Sequence, residues 1–229
     1  MGKKSNILII APHADDEILG CGGVISRYIH EGNSVYIAVM TNANIGAPSL
    51  FSSTDIKNIR AEALSAHKLL NVTNTFFFDF PAPRLETHPS YEITQAISAL
   101  INEKKIDTLF IPHKGDIHKD HGVIYHAALV AARPINDFTV IDVFSYETLS
   151  ETEWASPFGN DAFIPNVFID ISKYLESKLK AMSCFCSQLK QAPHPRSLEI
   201  IESLAKFRGS TVGCKYAEAF MLVRSIKKY

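Results

Sequence analysis

Apolar runs of strand length recur along this chain. Each is followed by polar, Gly- or Pro-containing residues and then by a stretch of helical periodicity. Ile7–Ile10, Val35–Met40, Thr75–Phe78, Thr108–Pro112 and Val140–Tyr146 read as strands. Residues 17–31, Thr54–Leu70, Tyr91–Glu103 and Gly122–Ala132 read as helices between them. Continuous rather than alternating apolar runs predict strands covered on both faces. With one helix between successive strands, the pattern predicts an α/β fold: an open, doubly wound, mostly parallel sheet through about residue 146. Gly20, Gly22 and Gly23 weaken the first helix and predict close packing of its start on the sheet.

The last third has a different rhythm. Asn166–Ile171 reads as a short strand, Ser172–Lys190 as a long amphipathic helix, Ser197–Phe207 as another helix and Ala217–Val223 as a closing strand. The expectation is one domain over 1–229, with a core of about 1–146 and a C-terminal elaboration of about 147–229.

Composition narrows the function. A net charge of −1 lacks the basic surplus of a nucleic-acid binder. No apolar run approaches the roughly 18 residues needed to span a bilayer. The N-terminal apolar run is also too short for a secretory signal. Cys21, Cys184, Cys186 and Cys214 form no paired Cys-x-x-Cys frame and read as reduced, buried thiols of a cytoplasmic protein.

Chemistry concentrates in two clusters that follow strands. Ala11-Pro-His13-Ala-Asp15-Asp16-Glu17 stands where the first helix must begin, and His113-Lys-Gly-Asp116-Ile-His118-Lys-Asp120-His121 follows the fourth strand. In such sheets ligands gather at the carboxyl ends of the strands. A His and an Asp three apart across a strand-to-helix turn can share one ion, and imidazole with carboxylate suits zinc or a similar divalent metal. Either cluster alone has a plainer reading, because acids at a helix start favour the positive end of its dipole. Together they predict a metal site, with the second cluster supplying the missing ligand. Spacing alone does not decide between Asp15 and Asp16.

The first cluster resembles the A-H-P-D-D-E signature of the LmbE-like, or PIG-L, zinc-dependent N-deacetylases, with Ala14 in place of the usual Pro. His118-Lys-Asp120-His121 resembles that family's H-x-D-H motif. The similarity continues through Arg60-Ala-Glu62-Ala, His194-Pro-Arg196-Ser197, Arg208-Gly209 and Tyr216-Ala-Glu-Ala-Phe220. The last three resemble the branch that includes N-acetylglucosaminyl deacetylases of the bacillithiol pathway.

The resemblance implies a Rossmann-like fold and hydrolysis of the N-acetyl group of an amino sugar or sugar conjugate. His13, Asp16 and His121 would bind Zn2+, or Fe2+, which the same donors suit. Asp15 would be the general base. His118 would stabilise the oxyanion or protonate the departing amine, with Asp120 orienting it and keeping it protonated. Asp120 reads equally as a helix N-cap. Arg60 would hold the acetyl group or lie solvated on its helix; Tyr216 would donate to the oxyanion or simply pack. His194 and Arg196 would contact sugar or an oligomer interface, and the resemblance leaves homo-oligomer formation open. His113 reads as a structural hydrogen-bonding residue and Glu17 as an acid settling the helix start. His30, His67, His88 and His126 show no partner pattern. An amidase on a thiol–sugar conjugate, a sugar- or nucleotide-binding protein and a non-catalytic interaction protein are the alternative readings.

Overall fold

The computed structural model describes residues 4–135 and 139–227. Among these residues seven strands form one sheet: β1 (Asn6–Ala11), β2 (Ser34–Asn42), β3 (Asn74–Pro81), β4 (Thr108–Pro112), β5 (Asp142–Tyr146), β6 (Val167–Asp170) and β7 (Ala217–Ser225). Their order is β3-β2-β1-β4-β5-β7-β6. The first five are parallel, while β7 runs antiparallel between β5 and β6. The C-terminal elaboration therefore extends the core sheet. The strand order reverses between β1 and β4, and such switch points open a crevice at the carboxyl edge.

Helices cover both faces. The long ones are α1 (Asp16–His30), α3 (Ser53–Leu70), α4 (Ser90–Lys104), α5 (Lys119–Ala131) and α7 (Leu198–Val212), with the short α2 (Ala43–Gly46) and α6 (Leu175–Met182) between them. Side chains alternate along β1. Ile7 and Ile9 face one apolar cluster with α1, α3 and α6, and Leu8 and Ile10 face a second with α4 and α5.

The glycines of α1 permit close approach. A Cβ on Gly20 would run into the Tyr146 ring, and one on Gly23 would lie 2.7 Å from Ile171. The helix start thus packs on β5 and on the segment after β6. Tyr146 also donates its hydroxyl proton to Ile10 O at 2.8 Å, tying β5 to β1.

Some boundaries differ from expectation. Helix α3 begins at Ser53, because Ser52 and Asp55 form a reciprocal capping box, so neither Thr54 nor Asp55 is the cap. Helix α6 stops at Met182, and residues 183–190 form turns rather than the rest of a long helix. Helix α5 starts at Lys119, three residues before Gly122. Asp120 and His121 therefore sit in its first turn and are not strand-like. All four cysteines are free as expected, but only Cys21 is buried; Cys186 is exposed and the other two are intermediate.

Candidate metal centre and active site

The two clusters meet at the carboxyl edge beside the switch point, His13 and Asp16 after β1 and His118 to His121 after β4. Ligand atoms of His13, Asp16 and His121 all lie within 4.8 Å of one another. Asp16 Oδ2 stands 3.3 Å from His13 Nδ1 and 3.3 Å from His121 Nε2.

Each imidazole is anchored from behind. His121 Nδ1 is 2.7 Å from Asp116 Oδ2, and Asp116 Oδ1 accepts from the Thr152 hydroxyl at 2.6 Å. His13 Nε2 is 3.2 Å from Asp120 Oδ2, while Asp120 Oδ1 accepts from Leu85 N at 3.0 Å. With one ring nitrogen hydrogen-bonded to a carboxylate, the other nitrogen of each imidazole faces Asp16. This is the outer-shell arrangement typical of metal-binding histidines. His121 Nε2 is moreover buried, and its 3.3 Å approach to Asp16 Oδ2 is not a well-formed hydrogen bond; among the described residues it has no hydrogen-bond partner. A buried ring nitrogen left unpaired is costly unless something binds it. The donor set of two imidazoles and one carboxylate fits a divalent ion that keeps an open position.

Electrostatics point the same way. Burial alone would lower both histidines, but the surrounding carboxylates outweigh it, raising His13 to about 9 and His121 to about 10. Asp16 is held well below the usual carboxylate range by His121 and His13, against the opposing effect of burial. The cluster is built to hold positive charge beside Asp16.

Asp15 has an unusual backbone, with φ 115° and ψ −26°, in a region that side chains other than Gly rarely adopt. Neighbouring bonds hold it there. Its N–H donates to Glu17 Oε2 at 3.1 Å, and its carbonyl accepts from Ile18 N and Leu19 N. The carbonyl thus starts α1 and the side chain is not used as a cap. That carboxylate is buried, its Oδ2 accepts no hydrogen bond, and it lies 3.3 Å from Arg196 Nη1. Burial pushes Asp15 up to about 8, although the Arg196 guanidinium opposes the shift.

His118 is the N-cap of α5, a role expected of Asp120. Its Nδ1 accepts from Asp120 N at 3.2 Å, which leaves the ring proton on Nε2. Asp120 Oδ2 is 3.8 Å away from His118 Nδ1 and is given to His13 instead. Burial and the neighbouring His13 push His118 down to about 4, the reverse of an imidazole kept protonated by its partner.

His13, Asp15 and His118 line one end of a cleft of about 540 Å³, with Glu151 and Arg196 beside them. Arg60 and Tyr216 are not among the lining residues. Arg60 donates to Phe78 O at 2.6 Å and to Asp79 Oδ1 at 2.7 Å, clamping α3 to the end of β3. Tyr216 gives its hydroxyl proton to Glu202 Oε1 at 2.9 Å, joining β7 to α7.

Several residues carry more than their sequence context suggested. Glu17 is fully buried, and its Oε1 is 2.8 Å from His67 Nε2, whose Nδ1 reaches the Thr75 hydroxyl at 2.9 Å. His67 shares the buried face of α3 with Ala63, Ala66 and Leu70, and a His within an apolar stripe was the available signal. Asp116 gave no such signal, because loop conformation alone brings it to the site; Arg196 stood in a motif read as a sugar or oligomer contact, and here it pairs with Asp15 instead. His113 has the structural role expected, with Nε2 2.8 Å from Asp161 O.

A group of residues that could hold a divalent ion, beside a buried carboxylate and at a cleft on an α/β sheet, is what a metal-dependent hydrolase requires. The chain belongs to the PIG-L family, GlcNAc-PI de-N-acetylase, whose pattern it matches over residues 8–132. It is 29% identical over 189 residues to the uncharacterized deacetylase YaiS of Escherichia coli K12, covering 79% of this chain and 90% of YaiS. It is 24% identical to the diacetylchitobiose deacetylase of Thermococcus kodakarensis, covering 96% and 84% of the two chains. It is 25% identical to a probable N-acetyl-alpha-D-glucosaminyl L-malate deacetylase of Bacillus cereus, covering 81% and 84%. The fold is also that of GalB, the 4-carboxy-2-hydroxymuconate hydratase of Pseudomonas putida, with a TM-score of 0.77, 18% identity and 98% of each chain covered. That similarity concerns fold alone, so the choice of reaction rests on the family and on the site.

Proposed function

We propose that this protein is a metal-dependent N-deacetylase. It hydrolyses the N-acetyl amide of an amino sugar or sugar conjugate and releases acetate and a free amine. One observation carries the reading. Two carboxylate-anchored imidazoles converge on Asp16 beside a second, buried aspartate with an unbonded oxygen.

His13, Asp16 and His121 would hold the ion, with zinc the first candidate and iron(II) the second. Bound there, a divalent ion supplies acidification of water and polarisation of the acyl oxygen. The remaining work falls to this chain's own groups. Asp15 Oδ2 takes the proton of the attacking water as its oxygen bonds to the acyl carbon. As the C–N bond breaks, the same carboxyl returns that proton to the leaving nitrogen. His118 is neutral and carries its proton on Nε2, which suits it to donate a hydrogen bond to the developing oxyanion. Arg196 keeps Asp15 in place, with Nε on Ser150 Oγ at 2.7 Å and Nη1 on Gln188 Oε1 at 3.1 Å. Arg60 and Tyr216 receive structural roles.

Cytoplasmic placement goes with this reading, supported by four free cysteines. No helix among the described residues is long and apolar enough to cross a membrane.

The test is release of acetate and free amine from a panel of N-acetylated amino sugars. Turnover that requires added metal, and that Asp15→Ala abolishes while retaining metal, is the expected result. Full turnover by Asp15→Ala would overturn the base assignment.

A further inference from the structure

Glu17 and His67 are buried, and the proposed chemistry uses neither. They belong to a continuous chain of hydrogen bonds that ends on the general base. The Thr75 hydroxyl, on β3, is 2.9 Å from His67 Nδ1. His67 Nε2, on α3, is 2.8 Å from Glu17 Oε1, and Glu17 Oε2 accepts the N–H of Asp15 at 3.1 Å. With both Glu17 oxygens accepting, His67 carries its proton on Nε2 and accepts from the Thr75 hydroxyl at Nδ1.

Stability does not account for the pair. The rest of the buried face of α3 is apolar: Ala63, Ala66 and Leu70. Burying a carboxylate and an imidazole beside such a face costs desolvation that apolar residues of the same volume avoid. The backbone of Asp15 does account for it. Asp15 sits at φ 115°, and φ relates the peptide plane before its Cα to the carbonyl after it. Ile18 N and Leu19 N fix the carbonyl side, and Glu17 fixes the N–H side. Together they set the direction of Cβ and so of the carboxylate. Slackening the N–H side lets φ relax towards the common region and swings that carboxylate off the ion site. Glu17 alone is a flexible side chain, and His67 is the donor that keeps its carboxylate turned inward. Asp16 is held separately, because His13 N donates to its Oδ2 at 2.8 Å.

We propose that His67 is a positioning residue, acting through Glu17 to hold Asp15 at the backbone angle the reaction needs. The proposal rests on the deacetylase reading for the role of Asp15, but not for the hold on its backbone.

Three variants test it. In His67→Gln the side-chain amide nitrogen falls where Nε2 was and keeps the bond to Glu17; in His67→Asn it falls near Nδ1 and loses that bond. Glu17→Met/His67→Met replaces the whole pair with apolar volume and should fold with stability near wild type. The first readout needs no turnover: amide-resolved hydrogen exchange of metal-free protein. The Asp15 N–H should exchange roughly tenfold or more faster in His67→Asn and in the double variant, and at the wild-type rate in His67→Gln. The second is kinetic. With zinc bound, kcat for an N-acetylated amino sugar should fall roughly 10- to 100-fold in the same two proteins and recover in His67→Gln, while KM and zinc affinity stay near wild type.

Wild-type kcat in the stable double variant would overturn the proposal. Equal loss of kcat in His67→Asn and His67→Gln would also overturn it, as the mark of lost packing. So would unchanged exchange at Asp15 in both His67→Asn and the double variant. Faster exchange that His67→Gln restores, with no turnover of any N-acetylated sugar even by wild type, would uphold the hold on Asp15 and overturn the deacetylase reading instead.

Discussion

At the scale of single residues, the site depends on carboxylates that would touch no substrate. Asp116 and Asp120 each accept a hydrogen bond from one ring nitrogen of a histidine and leave the other nitrogen facing Asp16. Asp116→Ala should lower metal affinity by about 10- to 100-fold, measured by competition with a chelating dye, because His121 loses its fixed tautomer. Unchanged affinity would mean that Asp116 serves only the fold. The same residues set a pH dependence. In metal-free protein His13 is raised from 6.5 to about 9, His121 to about 10 and Asp15 from 3.8 to about 8. The two histidines' contribution to stability is fully present below pH 6.5 and lost as pH rises through about 9 and about 10. Asp15 adds a penalty in the same direction as it ionises. His118, lowered to about 4, acts oppositely only below 6.5. Thermal unfolding of metal-free protein should therefore show stability falling from pH 6.5 towards 10. The gain in Tm on adding metal should grow over the same range, because metal displaces protons. A metal-free Tm that rises across this range would contradict the assignment.

At the scale of elements, α1 must hold Asp15 in its unusual conformation while packing tightly enough to aim Asp16. A buried ion pair braces it. Lys178 Nζ lies 2.6 Å from Glu218 Oε1 and donates to Leu19 O at 2.7 Å, and Glu218 accepts from Gly23 N at 2.9 Å and Val24 N at 2.7 Å. The pair joins one turn of α1 to α6 and β7. Glu218→Leu should destabilise by about 3–5 kcal/mol in denaturant unfolding, since it strands a buried ammonium. Lys178→Met/Glu218→Leu should recover much of that loss. A single variant as stable as wild type would show that the pair contributes nothing. Element ends also explain where sequence reading failed. Gly122 suggested that α5 starts late, yet a side-chain nitrogen of His118 caps it three residues earlier. That shift moves Asp120 from the side of His118 to that of His13. The amphipathic pattern of residues 172–190 continued past Met182 although the chain turns there.

At the scale of the whole molecule, the doubly wound sheet was legible because its strands are continuous apolar runs separated by amphipathic helices. The direction of β7 was not, since an apolar run carries no sign of whether its neighbour runs parallel. The candidate metal ligands stood out because their two clusters follow strands of that sheet, His13 just after β1 and Asp16 and His121 in the first turns of α1 and α5. Their supports, Asp116, Glu17 with His67, and Arg196, come from a loop, a buried helix face and a distant turn, which only tertiary packing assembles. The central claim is that this assembly holds one divalent ion and that Asp15 acts beside it. The most direct measurement titrates metal-free wild type and Asp15→Asn with zinc while following acetate release from an N-acetylated amino sugar. Both proteins should bind one equivalent, with turnover rising to saturation at that equivalent in wild type and absent in Asp15→Asn. Full turnover by metal-free protein, or by Asp15→Asn, would contradict the claim.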